Sequence, residues 1–218
     1  LDGIPKQLHS VGFDDVKKEM LEKRVNFPRL TRTDHGKGEV YKTNVAGKLI
    51  CILVNKLASL DPFGIGIEME SDKPNWFDSL NGLPALFGSS TCETFELKRL
   101  ALFLKESLKK TNIEKIYLAE EIYDLLFGLA YLIREYFNTD AGDKDFSFWD
   151  KSHTLKEEYR QKTNFGVSGK EKQIQAGELI TILEDTIKKL DLGLDKAYDT
   201  KENIYYSYFI KEGKEFEK

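Results

Sequence analysis

The stretch IYLAEEIYDLLFGLAYLIREYF, residues 116–137, decides the fold class. Its apolar side chains recur at helical spacing and fall into two stripes. The aliphatic stripe is Ile122, Leu125, Leu126, Leu129, Ala130 and Ile133, and the aromatic stripe is Tyr123, Phe127 and Tyr131. A helix that is apolar on two faces packs against neighbours on two sides. The sequence therefore predicts a long buried helix over 116–137.

A second stretch, VAGKLICILVNKLASL (45–60), is apolar almost all round and also predicts a buried helix. Asp61-Pro62 follows it, and the residue before a proline is biased away from helical conformation, so the helix should stop there. Ser90 and Glu93 have the spacing of a capping box, as do Ser168 and Glu171. Each serine is expected to start a helix.

Strands are expected to be few. GIGIEME (64–70) alternates apolar and polar residues over its second half, and IYYSYFI (204–210) is rich in aromatic and β-branched residues. We predict a mainly α fold of antiparallel helical hairpins in two layers, with one or two short strands. Residues 1–44 should form a connector with a short helix, and residues 45–218 a helical domain that carries a long loop.

Composition narrows the classes of function. The chain has 218 residues, 40% of them apolar, and a net charge of −4 with lysines scattered among glutamates. This balance argues against nucleic acid as a partner. Without an apolar run of about 18 residues, a membrane span is not expected, and we predict a cytoplasmic protein. With three histidines and two cysteines outside any C-x-x-C spacing, we predict no metal or organic cofactor.

The loop MESDKPNWFDSLNGLPALFGSS (69–90) contains the most suggestive chemistry. Sugars stack an apolar ring face on an aromatic side chain, and glycosyl transfer needs a carboxylic acid to protonate the leaving oxygen. We predict Asp78 as the catalytic acid. The predicted substrate-binding residues are Trp76, Asn75, Asn81, Glu68 and Glu70.

Purely structural roles for these residues are the alternative. A tryptophan in a loop can plug the edge of a core, and an aspartate there can cap a helix. Glu68 and Glu70 can form a solvated strand face, and His153, on a predicted polar helix at 148–165, is expected at the surface.

The segment NWFDSLNG (75–82) resembles the W-x-D-x-x-N catalytic loop of the cellobiose and chitobiose phosphorylase family. The longer run from Asp61 to Leu100 is similar to a group of large bacterial cellobiose phosphorylase-like proteins. The resemblance implies an (α/α)6 barrel and an inverting reaction in which inorganic phosphate is the co-substrate. By position, it implies that Asp78 is the acid, Trp76 the stacking residue and Asn81 the loop asparagine.

The sequence departs from the family pattern at Ser71-Asp72-Lys73-Pro74, where the family has glycines, and at Asn75, where it has aspartate. The phosphate-holding groups of the family have no counterpart that can be placed, so phosphorolysis and hydrolysis both stay open. A barrel of about twelve helices exceeds this length. The expected partners are an oligosaccharide substrate and either the remainder of a larger chain or further copies of this one. The alternative is a non-catalytic helical domain for subunit packing or sugar binding.

Overall fold

The computed structural model describes residues 14–68, 88–212 and 215–217. Six α-helices dominate this part of the chain. They are α1 (Asp15–Glu22), α2 (Val45–Leu57), α3 (Thr91–Lys110), α4 (Glu120–Phe137), α5 (Lys144–Thr163) and α6 (Ala176–Lys196). The prediction of a mainly helical protein is confirmed. None of these helices combines the length and the apolar character that a membrane crossing requires.

The expectation of one or two strands was too low, because the described ranges contain eight short strands. They are β1 (Ile67–Glu68), β2 (Gly88–Ser90), β3 (Lys115–Ala119), β4 (Glu171–Gln175), β5 (Tyr198–Asp199), β6 (Ile204–Tyr205), β7 (Tyr208–Glu212) and β8 (Glu215–Glu217). The strands join into a four-stranded sheet in the order β1-β2-β7-β8 and two separate pairs, β3-β4 and β5-β6. All pairings are antiparallel.

The pair β3–β4 corrects two predictions. The helix expected from Ile116 begins only at Glu120, since the preceding five residues pair with β4 and place Tyr117 opposite Gln173. Glu171 lies in β4, so it does not belong to a capping box, and the Ser168 hydroxyl instead accepts the amide of Lys170. Each strand leads directly into a helix, β3 into α4 and β4 into α6.

The core lies where α2, α4 and α6 meet. The helix α4 packs against α2, α5 and α6, while α3 packs against α2 and α6. Both apolar stretches singled out from the sequence supply fully buried side chains, including Leu53 and Val54 from α2 and Leu126 and Leu129 from α4. The aliphatic stripe of α4 is buried as predicted, but the aromatic stripe is not, since Tyr131 is 61% exposed and Tyr123 and Phe127 are only half-buried.

The N-terminal cap of α3 was predicted correctly. The Ser90 hydroxyl accepts the amide of Glu93 at 3.4 Å, and the Glu93 carboxylate binds Lys56 Nζ of α2 at 2.7 Å. The cap fixes the start of α3 immediately after β2. In β2, Ser90 stands opposite Ile67 and Ser89 opposite Glu68. The chain therefore leaves this sheet at Glu68 and returns to it at Gly88, at neighbouring positions.

Candidate functional site

Glu68 is the predicted site residue that the structure describes, and it is the last described residue before the long loop. The other five predicted site residues lie outside the described residues: Asn75, Trp76, Asp78, Asn81 and Glu70. Glu68 is anchored through its backbone, because its amide donates to the Ser59 carbonyl at 2.7 Å. Its side chain is half-buried.

Both carboxylate oxygens of Glu68 are engaged by helix α5. The indole N–H of Trp149 donates to Oε1 at 2.9 Å, and His153 Nε2 lies 2.8 Å from Oε2. A carboxylate that accepts two such bonds is held in one orientation. Glu68 is therefore not a residue of an open, solvated strand face, and His153 is half-buried rather than at the surface as expected.

Both ring nitrogens of His153 have a polar neighbour. Nδ1 lies 3.0 Å from the Trp149 carbonyl oxygen, which can only accept, and Nε2 lies 2.8 Å from Glu68 Oε2. The imidazole is therefore held in one orientation between its own helix and strand β1.

Lys156 adds a cation to the same helix face. It is buried, and Nζ donates to the Ser59 hydroxyl at 3.2 Å. Burial lowers the pKa of Lys156, while the negative charges of Glu68 and Glu157 oppose that shift. We call Glu68, Trp149, His153 and Lys156 the Glu68 cluster. It combines a carboxylate, an indole, an imidazole and a buried amine at the last described residue of β1.

Aromatic rings extend this face toward solvent. Phe146, Trp149 and His153 lie at helical positions i, i+3 and i+7, with ring centroids 5.3 Å apart between Phe146 and Trp149 and 5.1 Å apart between Trp149 and His153. Phe146 is 55% exposed. We call Phe146 and Trp149 the aromatic ledge. Sequence reasoning missed it, although the spacing F-x-x-W-x-x-x-H on a predicted helix was a usable signal.

A second charged cluster lies under the turn at Gly64. Lys189 is only 1% exposed, and its Nζ binds Asp145 Oδ1 at 2.9 Å, while Lys196 binds Oδ2 at 2.6 Å. Burial would raise the pKa of Asp145, but Lys189 and Lys196 outweigh it and lower that pKa. Burial lowers the pKa of Lys189 against the opposing effect of Asp145. Since these charges satisfy one another, the cluster holds α5 to α6.

Asp61 organises the turn that precedes β1. Its buried carboxylate accepts the amides of Phe63, Ile65 and Gly66 and the hydroxyl of Ser89, at 2.6 to 3.0 Å. Burial raises the pKa of Asp61, and these donated bonds oppose the rise. The sequence suggested only that Asp61 ends a helix. In the structure it also ties the turn to β2, and so fixes where both ends of the loop lie.

An apolar groove of about 440 Å³ runs between α2 and α3, away from the residues of the Glu68 cluster. Its floor and rim include Leu49, Ile52, Leu100 and the exposed ring of Phe103. The groove carries no acid, base or nucleophile beyond surface ion pairs such as Lys56–Glu93 among its described residues. Nor do the described ranges contain a group of three or more histidine, cysteine, aspartate or glutamate side chains placed to hold a metal ion.

The Glu68 cluster is the strongest candidate site in the described part of the chain. A scan against models of known protein families finds no match to this sequence, and a comparison with curated proteins finds none either. Function must therefore be inferred from the chemistry of these side chains and from the loop sequence itself.

Proposed function

We propose that this chain is a segment of a carbohydrate-active enzyme that cleaves or transfers a glycosidic bond with inversion. It would be a glycoside phosphorylase of the cellobiose phosphorylase-like kind or an inverting hydrolase. One observation carries the proposal. Residues 69–87, which contain the sequence NWFDSLN, connect Glu68 to Gly88, and the pairing of Glu68 with Ser89 places the two ends of this segment next to each other beside the Glu68 cluster.

The roles of the loop residues follow from their chemistry. Asp78 is the general acid that protonates the glycosidic oxygen, and Trp76 is the platform for one sugar ring. The proposed role of Asn75, Asn81 and Glu70 is to bind hydroxyl groups of the sugar. Inorganic phosphate attacks in a phosphorylase, whereas in an inverting hydrolase a second carboxylate about 6.5–9.5 Å from the acid activates water.

Glu68 takes a different role from the one expected of a simple sugar ligand. Each of its oxygens accepts one bond from α5, and an ionised carboxylate offers about four acceptor sites in all. Its remaining acceptor capacity can receive a sugar hydroxyl. Its stronger effect is on position, since it holds the start of the loop against Trp149 and His153.

The proposed architecture is part of an (α/α)6 barrel. Five of the six described helices, α2 to α6, pack against one another, and α4 and α5 are joined by a short connection. The helices that complete the barrel would come from the remainder of a larger chain or from another copy of this one. The exposed apolar groove between α2 and α3 supports a further helical neighbour.

A non-catalytic helical domain is the second candidate. The observation that favours it is that both oxygens of Glu68 are already bound by Trp149 and His153. A domain of this kind would bind sugars, or pack against other subunits, without turning substrate over.

Turnover of cellobiose by the full-length protein, with and without inorganic phosphate, separates these candidates. Sugar phosphate as product indicates phosphorolysis, and free glucose alone indicates hydrolysis.

Asp78→Asn should lower turnover by about 10²–10⁴-fold with binding preserved. Trp76→Ala should raise KM. Asp72→Asn, in the same loop but outside the motif, is the control and should leave turnover unchanged. Full activity of Asp78→Asn would overturn the assignment of the acid, and cellobiose binding without turnover would favour the non-catalytic domain.

A further inference from the structure

We propose that the aromatic ledge, Phe146 and Trp149 on α5, is a second sugar-binding subsite, distinct from the ring platform in the loop. The inference rests on the proposed function and extends it to the size of the ligand. A ligand that fills this subsite in addition to the proposed catalytic site contains at least two sugar rings.

The exposure of the ledge is selective. Phe146 is 55% exposed, whereas Phe148, two residues further along α5, is buried among core side chains. The planes of the Phe146 and Trp149 rings are inclined by 42° with centroids 5.3 Å apart. The two rings therefore do not stack face to face on each other. Part of the apolar Phe146 face remains open to a ligand beside the indole.

The indole is also held in place before any ligand arrives. Its N–H donates to Glu68 Oε1 at 2.9 Å, and the His153 ring lies 5.1 Å from it on the same helix face. A side chain fixed by such contacts loses little conformational freedom when a ligand stacks on it. Pre-organisation of this kind is what a binding platform needs.

The polar groups beside the ledge select the class of ligand. The Glu68 oxygens accept, so the ligand must donate hydrogen bonds. An aromatic face next to a carboxylate can also bind a cation. Here, however, the buried amine of Lys156 lies close enough to attract the Glu68 carboxylate, so the negative charge of Glu68 is already partly compensated. A neutral ring rich in hydroxyl groups fits these conditions, and a pyranose has one apolar face to lay on the rings.

Intrinsic fluorescence can isolate the ledge, because the chain contains two tryptophans. In Trp76→Phe, all indole emission comes from Trp149. Titration of this variant with glucose, cellobiose and cellotriose should change the Trp149 emission and protect it from acrylamide quenching. Binding should be tighter for the di- and trisaccharide than for glucose. Absence of any response to all three sugars would overturn the subsite.

Phe146→Ala in the Trp76→Phe background should weaken binding by about 3- to 10-fold, the loss expected for one aromatic contact. Phe103→Ala is the matched control, since Phe103 is 58% exposed on α3 and lies in a different groove. Because Phe146 is exposed, its removal should leave the thermal unfolding midpoint close to that of the parent. Phe146→Leu provides a second variant that keeps apolar volume while it removes the ring. Equal affinity in Phe146→Ala and the parent, or equal weakening by Phe103→Ala, contradicts the proposal.

The experiments test the role of Asp78 and the sugar subsite on the aromatic ledge independently. If Asp78→Asn keeps full activity while Trp149 still responds to cellobiose, the acid assignment is wrong and the ledge stands. If Asp78→Asn is inactive while Trp149 emission is unaffected by any sugar, the enzyme assignment stands and the ledge is wrong.

Discussion

Glu68 and His153 bind each other at 2.8 Å across 85 positions of sequence. The contact joins the end of strand β1 to the middle of helix α5, and so couples the start of the loop to the helix that carries the aromatic ledge. Both side chains are half-buried, which limits the screening that weakens ion pairs at the surface.

A double-mutant cycle should measure this coupling. We expect Glu68→Ala and His153→Ala to interact by about 1–2 kcal/mol in urea unfolding, since partly buried charged hydrogen bonds are worth more than exposed ones. The pair Glu135 and Lys151 is the control. It joins α4 to α5 at a solvent-exposed position with a distance of 3.1 Å, and should show about 0.2–1 kcal/mol. A smaller coupling for Glu68 and His153 than for the control would contradict the prediction.

Asp145→Asn should destabilise the protein by about 3–5 kcal/mol at neutral pH, because it leaves the buried Lys189 without its carboxylate. Lys189→Met should be milder, since Asp145 keeps Lys196 and the methionine can pack on the rings of Tyr136 and Phe148. Urea unfolding of the three proteins measures both differences. The opposite order, with a larger loss of stability for Lys189→Met than for Asp145→Asn, would contradict this explanation. It would mean that the attraction between Lys189 and Asp145 matters more than the cost of burying Lys189 without a partner.

The lowered pKa of Asp145 predicts how the stability of the fold depends on pH. The pKa of Asp145 is lowered in the folded state from its ordinary 3.8, so its contribution to stability is present above about pH 4 and is lost as pH falls through the folded-state value. The stability difference between the parent and Asp145→Asn should therefore stay constant above about pH 4 and shrink as the pH falls below that value. Asp150→Asn, at an exposed position of the same helix, should show a difference near zero throughout. A gap for Asp145→Asn that stays constant with pH would refute the linkage.

Two glycines of α6 should respond in opposite directions to alanine. A Cβ at Gly193 would lie 1.9 Å from the Gly64 carbonyl oxygen, so Gly193→Ala must displace the turn that Asp61 organises. We expect it to cost about 1–3 kcal/mol or more. Gly177 has open space around its Cβ position, and Gly177→Ala should stabilise by about 0.4–1 kcal/mol through the unfolded state. Thermal unfolding of both variants measures the two changes in stability. If Gly193→Ala leaves the stability unchanged, the turn at Gly64 can move away at no cost and the prediction is wrong.

Asn44 does two things at the start of α2, and two substitutions separate them. Its Oδ1 accepts the amide of Gly47 at 2.7 Å, and its Nδ2 donates to the Tyr117 carbonyl of β3 at 2.9 Å. Asn44→Ala should cost about 1–2 kcal/mol. Asn44→Ser keeps an oxygen that can cap α2 and loses the amide donor to β3, so urea unfolding should give an intermediate loss. Equal losses in the two variants would mean that the cap itself contributes nothing.

The sequence predicted those parts of the fold that depend on near neighbours along the chain. The apolar periodicity of α2 and α4 and the serine cap of α3 act within about one helical turn, so the residues themselves carry the signal. The pair β3–β4 depends on partners from residue 115 to residue 175, and no local pattern in either strand specified the other. Residues 116–119 were therefore included in a predicted helix to which they do not belong.

The same distinction holds for the candidate site. Glu68 could be singled out because it stands beside a loop with recognisable chemistry. Its partners Trp149 and His153 lie on a polar helix more than 80 positions away, and their contact with Glu68 is a product of tertiary packing. Local spacing on α5 could have indicated the aromatic ledge, but not which carboxylate would hold it.

The antiparallel pairing of Glu68 with Ser89 has an evolutionary consequence. Asp61, Ser89 and the cap of α3 hold Glu68 and Ser89 beside each other through contacts among residues 59–68 and 88–93. A change of sequence between these two positions removes none of those contacts. A new specificity can therefore evolve in residues 69–87 without any change to the residues that hold the two ends of the segment together.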